Sequence, residues 1–289
     1  MKQDWKPDVA KTREFRADIR TELGKAGSPG NFLLTKNNTS PRAKMRFYMA
    51  GKARNMTPSL WSYLPQNAIF KQGQFASCSV VGSSGILRGS RCGKKIDQSQ
   101  FVSRFNLAAV WGYETDVGSQ TNFTTLNPSF VANKLNGLKT QTNCSHFGNI
   151  LKQFKDSKLW LPMFGASVYF STLKRTMVTA TEFQSVQPVL GHPDHFLSVS
   201  KLWRKTIGNN RLWPTTGLYL VLSLVDVCDR INVFGFWPYS TTINGSDVPY
   251  HYHNDVTGKK NLHSFDTEFK TLVNLYEKGI INMHFGACL

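Results

Sequence analysis

The chain has 289 residues, 35 Lys and Arg against 18 Asp and Glu, a formal charge of +17, and 40% hydrophobic residues. This length can bury one large core or two small ones, and no stretch approaches the ~20 apolar residues of a membrane span, so as given the chain reads as soluble. The charge favours polyanionic partners, yet no zinc finger, RNP sequence or helix-turn-helix signature points to nucleic acid, and a solvated basic face explains the charge equally well.

Residues 1–60 are charged, polar and weakly periodic, with breaks at Gly27-Ser-Pro-Gly30 and Asn37-Asn-Thr-Ser-Pro41. They are expected to form a stem or an irregular N-terminal arm. Met1-Lys-Gln-Asp-Trp-Lys6 is not a signal peptide. Asn37, Asn38, Asn55, Asn122, Asn143 and Asn244 each begin an N-x-[ST] sequon, an excess that favours the secretory pathway. Asn122 falls in an expected strand, which leaves the other five as glycan acceptors. Disulfides persist in that compartment, and five cysteines leave one over. The missing leader or anchor then implies an incomplete chain or an unusual start site.

From Phe75 onward short β-rich runs (Ser77–Val81, Phe101–Val110, Asn122–Leu126, Leu159–Phe164, Asn232–Phe236) alternate with helical stretches. Among these are Phe130–Leu138, Phe147–Phe154, Leu218–Val227 and Thr267–Lys278. Such alternation predicts an α/β layer around a mostly parallel sheet, a single domain over residues 61–289.

Two turns in this layer suit an anion. An apolar strand ends at Gly82, and Ser83-Ser-Gly85 turns into a helix start, whose free N–H groups attract phosphate or carboxylate. Further on, Thr215 or Thr216 can cap an apolar helix, and Gly217 lets a ligand approach the backbone. The strand Arg230–Phe234 then delivers Gly235-Phe-Trp-Pro238 at its carboxyl end, where open α/β sheets bind ligands. His251 lies in Pro249-Tyr-His-Tyr-His-Asn-Asp255, and His263 opens His263-Ser-Phe-Asp-Thr-Glu268. A histidine, near neutral pKa, is the residue type suited to act as a general base. Glu268 is read as setting local structure or charge.

Cys78 to Asp97, Phe101 to Ala108, Asp116-Val-Gly118 and Thr124 to Ser129 follow one another in the order and spacing of the large sialylmotif. The stretch from Pro214 through Cys228 to Pro238 resembles the small sialylmotif, and Gly-Phe-Trp-Pro resembles its α2,8 branch. The chain therefore resembles the animal sialyltransferases of glycosyltransferase family 29 over about residues 60–289. The resemblance implies a Rossmann-like, GT-A-variant fold and an inverting, metal-independent transfer of sialic acid from CMP-sialic acid. The acceptor would be a terminal sialic acid on a glycoprotein or glycolipid, joined by an α2,8 bond. It makes His263 the base, and gives Ser83, Asn106, Thr215, Thr216, Gly217, Trp237, Tyr250 and His251 to the CMP-sialic acid. It pairs Cys78 with Cys228 and Cys92 with Cys288, leaving Cys144 over. It implies the Golgi lumen, a type II anchor missing from this sequence, and no cofactor beyond the donor substrate. No Asp-x-Asp pair occurs, in keeping with no metal-diphosphate site. Pairing of two copies is left open. The chain departs from the family pattern at Ser83 (usually Asn), Phe105 (commonly Cys) and His253-Asn254 (commonly Tyr-Asp). These departures motivate an alternative, a catalytically weak or inactive homologue that binds sialoglycans, tested by turnover of CMP-sialic acid.

Overall fold

The alternating texture is realised as a layered α/β fold in a computed structural model that describes residues 5–49, 51–254 and 263–288. Asp255, last residue of the motif opened by Pro249, lies outside the described residues. Two short strands, β1 (Lys44–Arg46) and β2 (Ala53–Asn55), pair antiparallel ahead of the main sheet. The main strands are β3 (Phe75–Val81), β4 (Phe101–Arg104), β5 (Phe123–Thr125), β6 (Lys158–Leu161), β7 (Gln187–Leu190), β8 (Cys228–Phe234) and β9 (Asn282–His284). They lie in the order β7-β6-β5-β4-β3-β8-β9, and every neighbouring pair is parallel.

A parallel sheet needs cover on both faces. Ten helices supply it among the described residues: α1 (Val9–Leu23), α2 (Pro58–Ser62), α3 (Gly93–Asp97), α4 (Glu114–Val117), α5 (Pro128–Lys134), α6 (Gln141–Leu151), α7 (Phe170–Phe183), α8 (Pro193–Ile207), α9 (Thr216–Leu224) and α10 (Phe265–Glu277). None is long and apolar enough to cross a membrane. Their boundaries follow local chemistry. The Asp8 side chain accepts from the Lys11 N–H to open α1, and α8 begins with Pro193 and stops at Gly208, whose φ of 64° is left-handed. The strand expected to run to Val110 ends at Arg104, because Asn106 and Leu107 turn left-handed at φ 55° and 52°.

Strands β3 to β7 step outward in one direction, and the chain then crosses back to add β8 and β9 on the other side of β3. The switch point is therefore the β3/β8 pair, and the crevice beyond its carboxyl end is where such sheets hold ligands. Gly82 and Gly235 end the two strands so closely that a Cβ on Gly82 would lie 2.3 Å from the Gly235 carbonyl oxygen. The same strands are tied by the Cys78–Cys228 disulfide, with a Cα–Cα distance of 6.0 Å. Cys92, just before α3, is bridged to Cys288, and Cys144 is free and half-buried on α6. Both bridges are the pairs that the resemblance implied.

Residues 1–60, read from sequence as a stem or irregular arm, carry α1 and share the core. Ile19 and Leu23 are buried with the sheet residues, as are Phe32, Leu33 and Phe47 in the loops that follow. The Arg16 Nε donates to the Val225 carbonyl at 2.8 Å, and Arg20 pairs with the buried Asp226 at 2.7 Å. Both contacts fasten α1 to the junction of α9 and β8.

The sequons differ in what their amides already do. The Asn122 Oδ1 accepts from the Val102 N–H and from Gln120 between β4 and β5, and the Asn143 Nδ2 donates to the Leu135 carbonyl at 3.1 Å. The Asn38 Nδ2 donates to Asn31 and Leu33. The exposed Asn37 donates to the Asn67 side chain. Asn55 and Asn244 are exposed with no side-chain hydrogen bond among the described residues. Glycopeptide mapping after secretion from animal cells should find Asn55 and Asn244 occupied and Asn122 bare; a glycan on Asn122 would contradict this placement.

Candidate active site

The crevice beyond β3 and β8 is a cleft of about 410 Å³, and all nine residues assigned to it from sequence line it. Gly82, Ser83, Gly235 to Pro238, Phe105, Asn106 and Thr215 to Gly217 line it. Tyr250, His251, His263, Phe265 and Glu268 complete the lining.

The glycine loop holds the Tyr250 segment in place. The Gly85 N–H donates to the Pro249 carbonyl at 3.0 Å and the Tyr252 N–H to the Ser83 carbonyl at 3.0 Å. A Cβ on Gly85 would lie 2.2 Å from the Pro249 oxygen, so only glycine permits this docking. The Ser83 hydroxyl itself has no protein partner among the described residues. Asn106 sits left-handed, a conformation Asn tolerates better than most residues, with its N–H donating to Thr125 Oγ1 at 3.2 Å.

The helix start at α9 is built for an anion. Thr215 caps it by accepting from the Leu218 N–H at 3.2 Å. Glu268 accepts twice from Thr215, at 2.8 Å from its N–H and at 2.5 Å from its hydroxyl. The N–H groups of Thr216 and Gly217, in the unpaired first turn, have no protein partner among the described residues and are left for a ligand at the positive end of the helix. A Cβ on Gly217 would come within 2.9 Å of the Phe236 ring, so this glycine also serves the packing of the cleft. Glu268 is 5% exposed, and burial raises its carboxyl to about 7 against the pull of the Thr215 hydrogen bonds.

His263 has its Nδ1 2.9 Å from the Trp213 carbonyl oxygen. A carbonyl only accepts, so Nδ1 carries the proton and Nε2 is left with a lone pair. The Trp213 ring is held between Phe196, stacked at 6.0 Å, and the Arg204 guanidinium at 4.4 Å. The His251 Nδ1 lies 3.0 Å from the Asn254 Oδ1, and the Asn254 Nδ2 lies 2.9 Å from the His253 Nδ1. Burial, with help from His251 and Arg88, lowers His253 to about 4, so it stays neutral and accepts from the amide. Burial raises the Tyr250 phenol, which keeps its proton as a hydrogen-bond donor. The Trp237 Nε1 is committed to the Thr241 carbonyl at 2.9 Å and its ring packs edge-on against Phe269, leaving ring surface rather than the N–H to the cleft.

Sequence reasoning missed Trp213, Phe236 and Asn127 as parts of the site. Phe236 and Asn127 lie inside the quoted motifs without having been given a role, and Trp213 stands directly before one, where nothing in its residue type announced a backbone contact to His263. Phe105 packs edge-to-face on Phe236 at 5.8 Å, which gives the departure from cysteine a packing role in the cleft.

A helix start with open N–H groups and a histidine with one open nitrogen, lining one cleft at the switch point of a parallel sheet, are the parts of a group-transfer enzyme of the Rossmann-like class. Residues 31–280 match glycosyltransferase family 29 (sialyltransferase), and the chain belongs to that family. It is 30% identical over 288 residues to alpha-2,8-sialyltransferase 8E of Rattus norvegicus, covering 98% of this chain and 75% of that protein. It is likewise 30% identical over 287 residues to alpha-2,8-sialyltransferase 8F of Homo sapiens, covering 98% and 71%. The crystal structure of a mammalian sialyltransferase superposes with a TM-score of 0.56 at 19% identity, covering 94% of this chain and 95% of that one, so the fold is shared.

Proposed function

We propose that this chain transfers sialic acid from CMP-sialic acid to a terminal sialic acid of a glycoprotein or glycolipid, forming an α2,8 bond with inversion. The observation that carries this reading is the pair of Glu268-anchored α9 start and Trp213-fixed His263 on one cleft. His263 Nε2 takes the proton of the acceptor hydroxyl as its oxygen bonds to the anomeric carbon of the donor. The bond from that carbon to the phosphate oxygen breaks, and CMP leaves with the electron pair. The Thr216 and Gly217 N–H groups, the Tyr250 hydroxyl and His251 hold the phosphate as its charge grows. Ser83, Asn106 and the Trp237 ring hold the remainder of the donor. The sequons and two disulfides support an oxidising, luminal compartment such as the Golgi.

The test is to incubate the protein with CMP-sialic acid and a sialylated lactose, ganglioside and glycoprotein, and to read linkages in the products. Zero turnover with retained glycan binding would favour the inactive, sialoglycan-binding alternative. Serine is shorter than the asparagine usual at this position, so Ser83→Asn should lower the KM for CMP-sialic acid about fivefold, the worth of one hydrogen bond of about 1 kcal/mol. An unchanged or higher KM would remove Ser83 from the donor contacts.

A further inference from the structure

A second concavity, of about 570 Å³, runs along α7 and is lined by Arg54, Thr57, Phe170, Ser171, Lys174 and Arg175, with Glu182 toward its far end. Three cations meet there, and none has a carboxylate within 4.0 Å among the described residues. Two of them are held by other contacts. The Arg54 guanidinium rests 4.3 Å from the centroid of the Phe170 ring, and the Arg175 Nε donates to the Gly137 carbonyl at 2.7 Å. Ordered guanidinium groups with open N–H edges are suited to paired hydrogen bonds with a carboxylate. The hydroxyls of Thr57 and Ser171 beside them suit a sugar.

The placement relates this groove to the cleft. Helix α7 is the next α-helix after β6, so its N-terminal end, with Phe170 and Ser171, starts from the carboxyl edge of the same sheet. Strand β6 lies three places from β3, about 14 Å at ~4.8 Å per strand. From Ser171 to Glu182 the helix face runs about 16 Å, enough for a short oligosaccharide lying along it.

We propose that the α7 groove is a second carbohydrate site, which binds a carboxylate-bearing oligosaccharide, the multiply sialylated part of an acceptor, away from the point of transfer. The identity of the occupant rests on the sialyl-transfer reading; the groove and its unpaired cations do not. Arg54→Glu together with Lys174→Glu tests it, since both side chains are exposed and neither makes a hydrogen bond that the fold needs. The double variant should raise the KM for an acceptor with several α2,8-linked sialic acids about tenfold, with the difference shrinking at high salt. The KM for an acceptor with one sialic acid and for CMP-sialic acid should stay unchanged. Equal changes for long and short acceptors, or none, overturn the groove. If the parent protein transfers to neither acceptor, the transfer reading fails on its own. In that event, binding of oligosialic acid to the protein filled with CMP, lost in the double variant, still supports the groove. Absence of that binding, or equally tight binding of a single-stranded oligonucleotide there, overturns it.

Discussion

The His263→Ala enzyme is expected to transfer sialic acid about a hundred to ten thousand times more slowly than the parent, the usual worth of a positioned general base, while its KM for CMP-sialic acid hardly moves. The side chain is exposed at the cleft and makes one hydrogen bond, from Nδ1 to the Trp213 carbonyl, so its removal leaves the core intact. Single-turnover rates with saturating donor measure the loss directly. A near-parental rate would mean that another group takes the proton. If His263 is the base, the Trp213 carbonyl serves the same step at one remove, because it holds the proton on Nδ1 and leaves Nε2 open.

Removing the Glu268 carboxyl should cost almost as much, but through donor binding. It is the buried anchor of Thr215, and each hydrogen bond to such a group is worth about 1.5–3 kcal/mol. Glu268→Ala is therefore expected to raise the KM for CMP-sialic acid about a hundredfold. Glu268→Gln separates geometry from charge, since its Oε1 can still accept from the Thr215 N–H and its Nε2 can donate to the Thr215 oxygen.

The pH dependence follows from burial, which raises the Glu268 carboxyl from 4.5 to about 7. Between those values the folded chain holds a proton that the unfolded chain has released. The stability this group contributes is full below 4.5 and is lost as pH rises through about 7. Donor binding has the same sign, because an ionised carboxylate beneath an anion-binding helix start repels phosphate. Once protonated, Glu268 can donate to the Thr215 oxygen and free that hydroxyl's hydrogen for the ligand. The KM for CMP-sialic acid should thus climb about tenfold from mildly acidic to mildly alkaline pH. Glu268→Gln should flatten the climb, and a variant that climbs like the parent would remove Glu268 as its source.

The parts of the site that were legible in sequence are those where backbone demands a residue type. Gly82, Gly217 and Gly235 are required by close approach, Thr215 by capping, and the two strand ends by the change from apolar run to turn. His263 and His251 were found through family resemblance, since a histidine alone says little. Trp213 and Phe236 escaped because their roles are tertiary: one offers a carbonyl to a side chain fifty positions away, the other fills the space of a missing Cβ. The same limit hid α7 and α8, whose apolar faces make sense only against the sheet they cover. It also hid the end of β4, where left-handed Asn106 and Leu107 interrupt a run that reads as continuous. The arm read over residues 1–60 looked irregular because the buried face of α1 is narrow and partly polar (Thr12, Ile19, Leu23), and the core contacts that follow come from single loop residues such as Phe32.

The two disulfides interleave along the chain, since Cys92 lies inside the loop closed by Cys78 and Cys228 while its partner Cys288 lies outside. A backbone cut anywhere from residue 93 to 227 separates Cys78 and Cys92 from Cys228 and Cys288, leaving two fragments doubly cross-linked. A cut before Thr215 leaves the Ser83 turn in one fragment and the α9 start and His263 in the other, whereas a cut after Gly217 keeps the α9 start with the Ser83 turn and puts His263 in the other. A protease that nicks a surface loop in that interval makes a two-chain molecule that cannot fall apart until it meets a reductant.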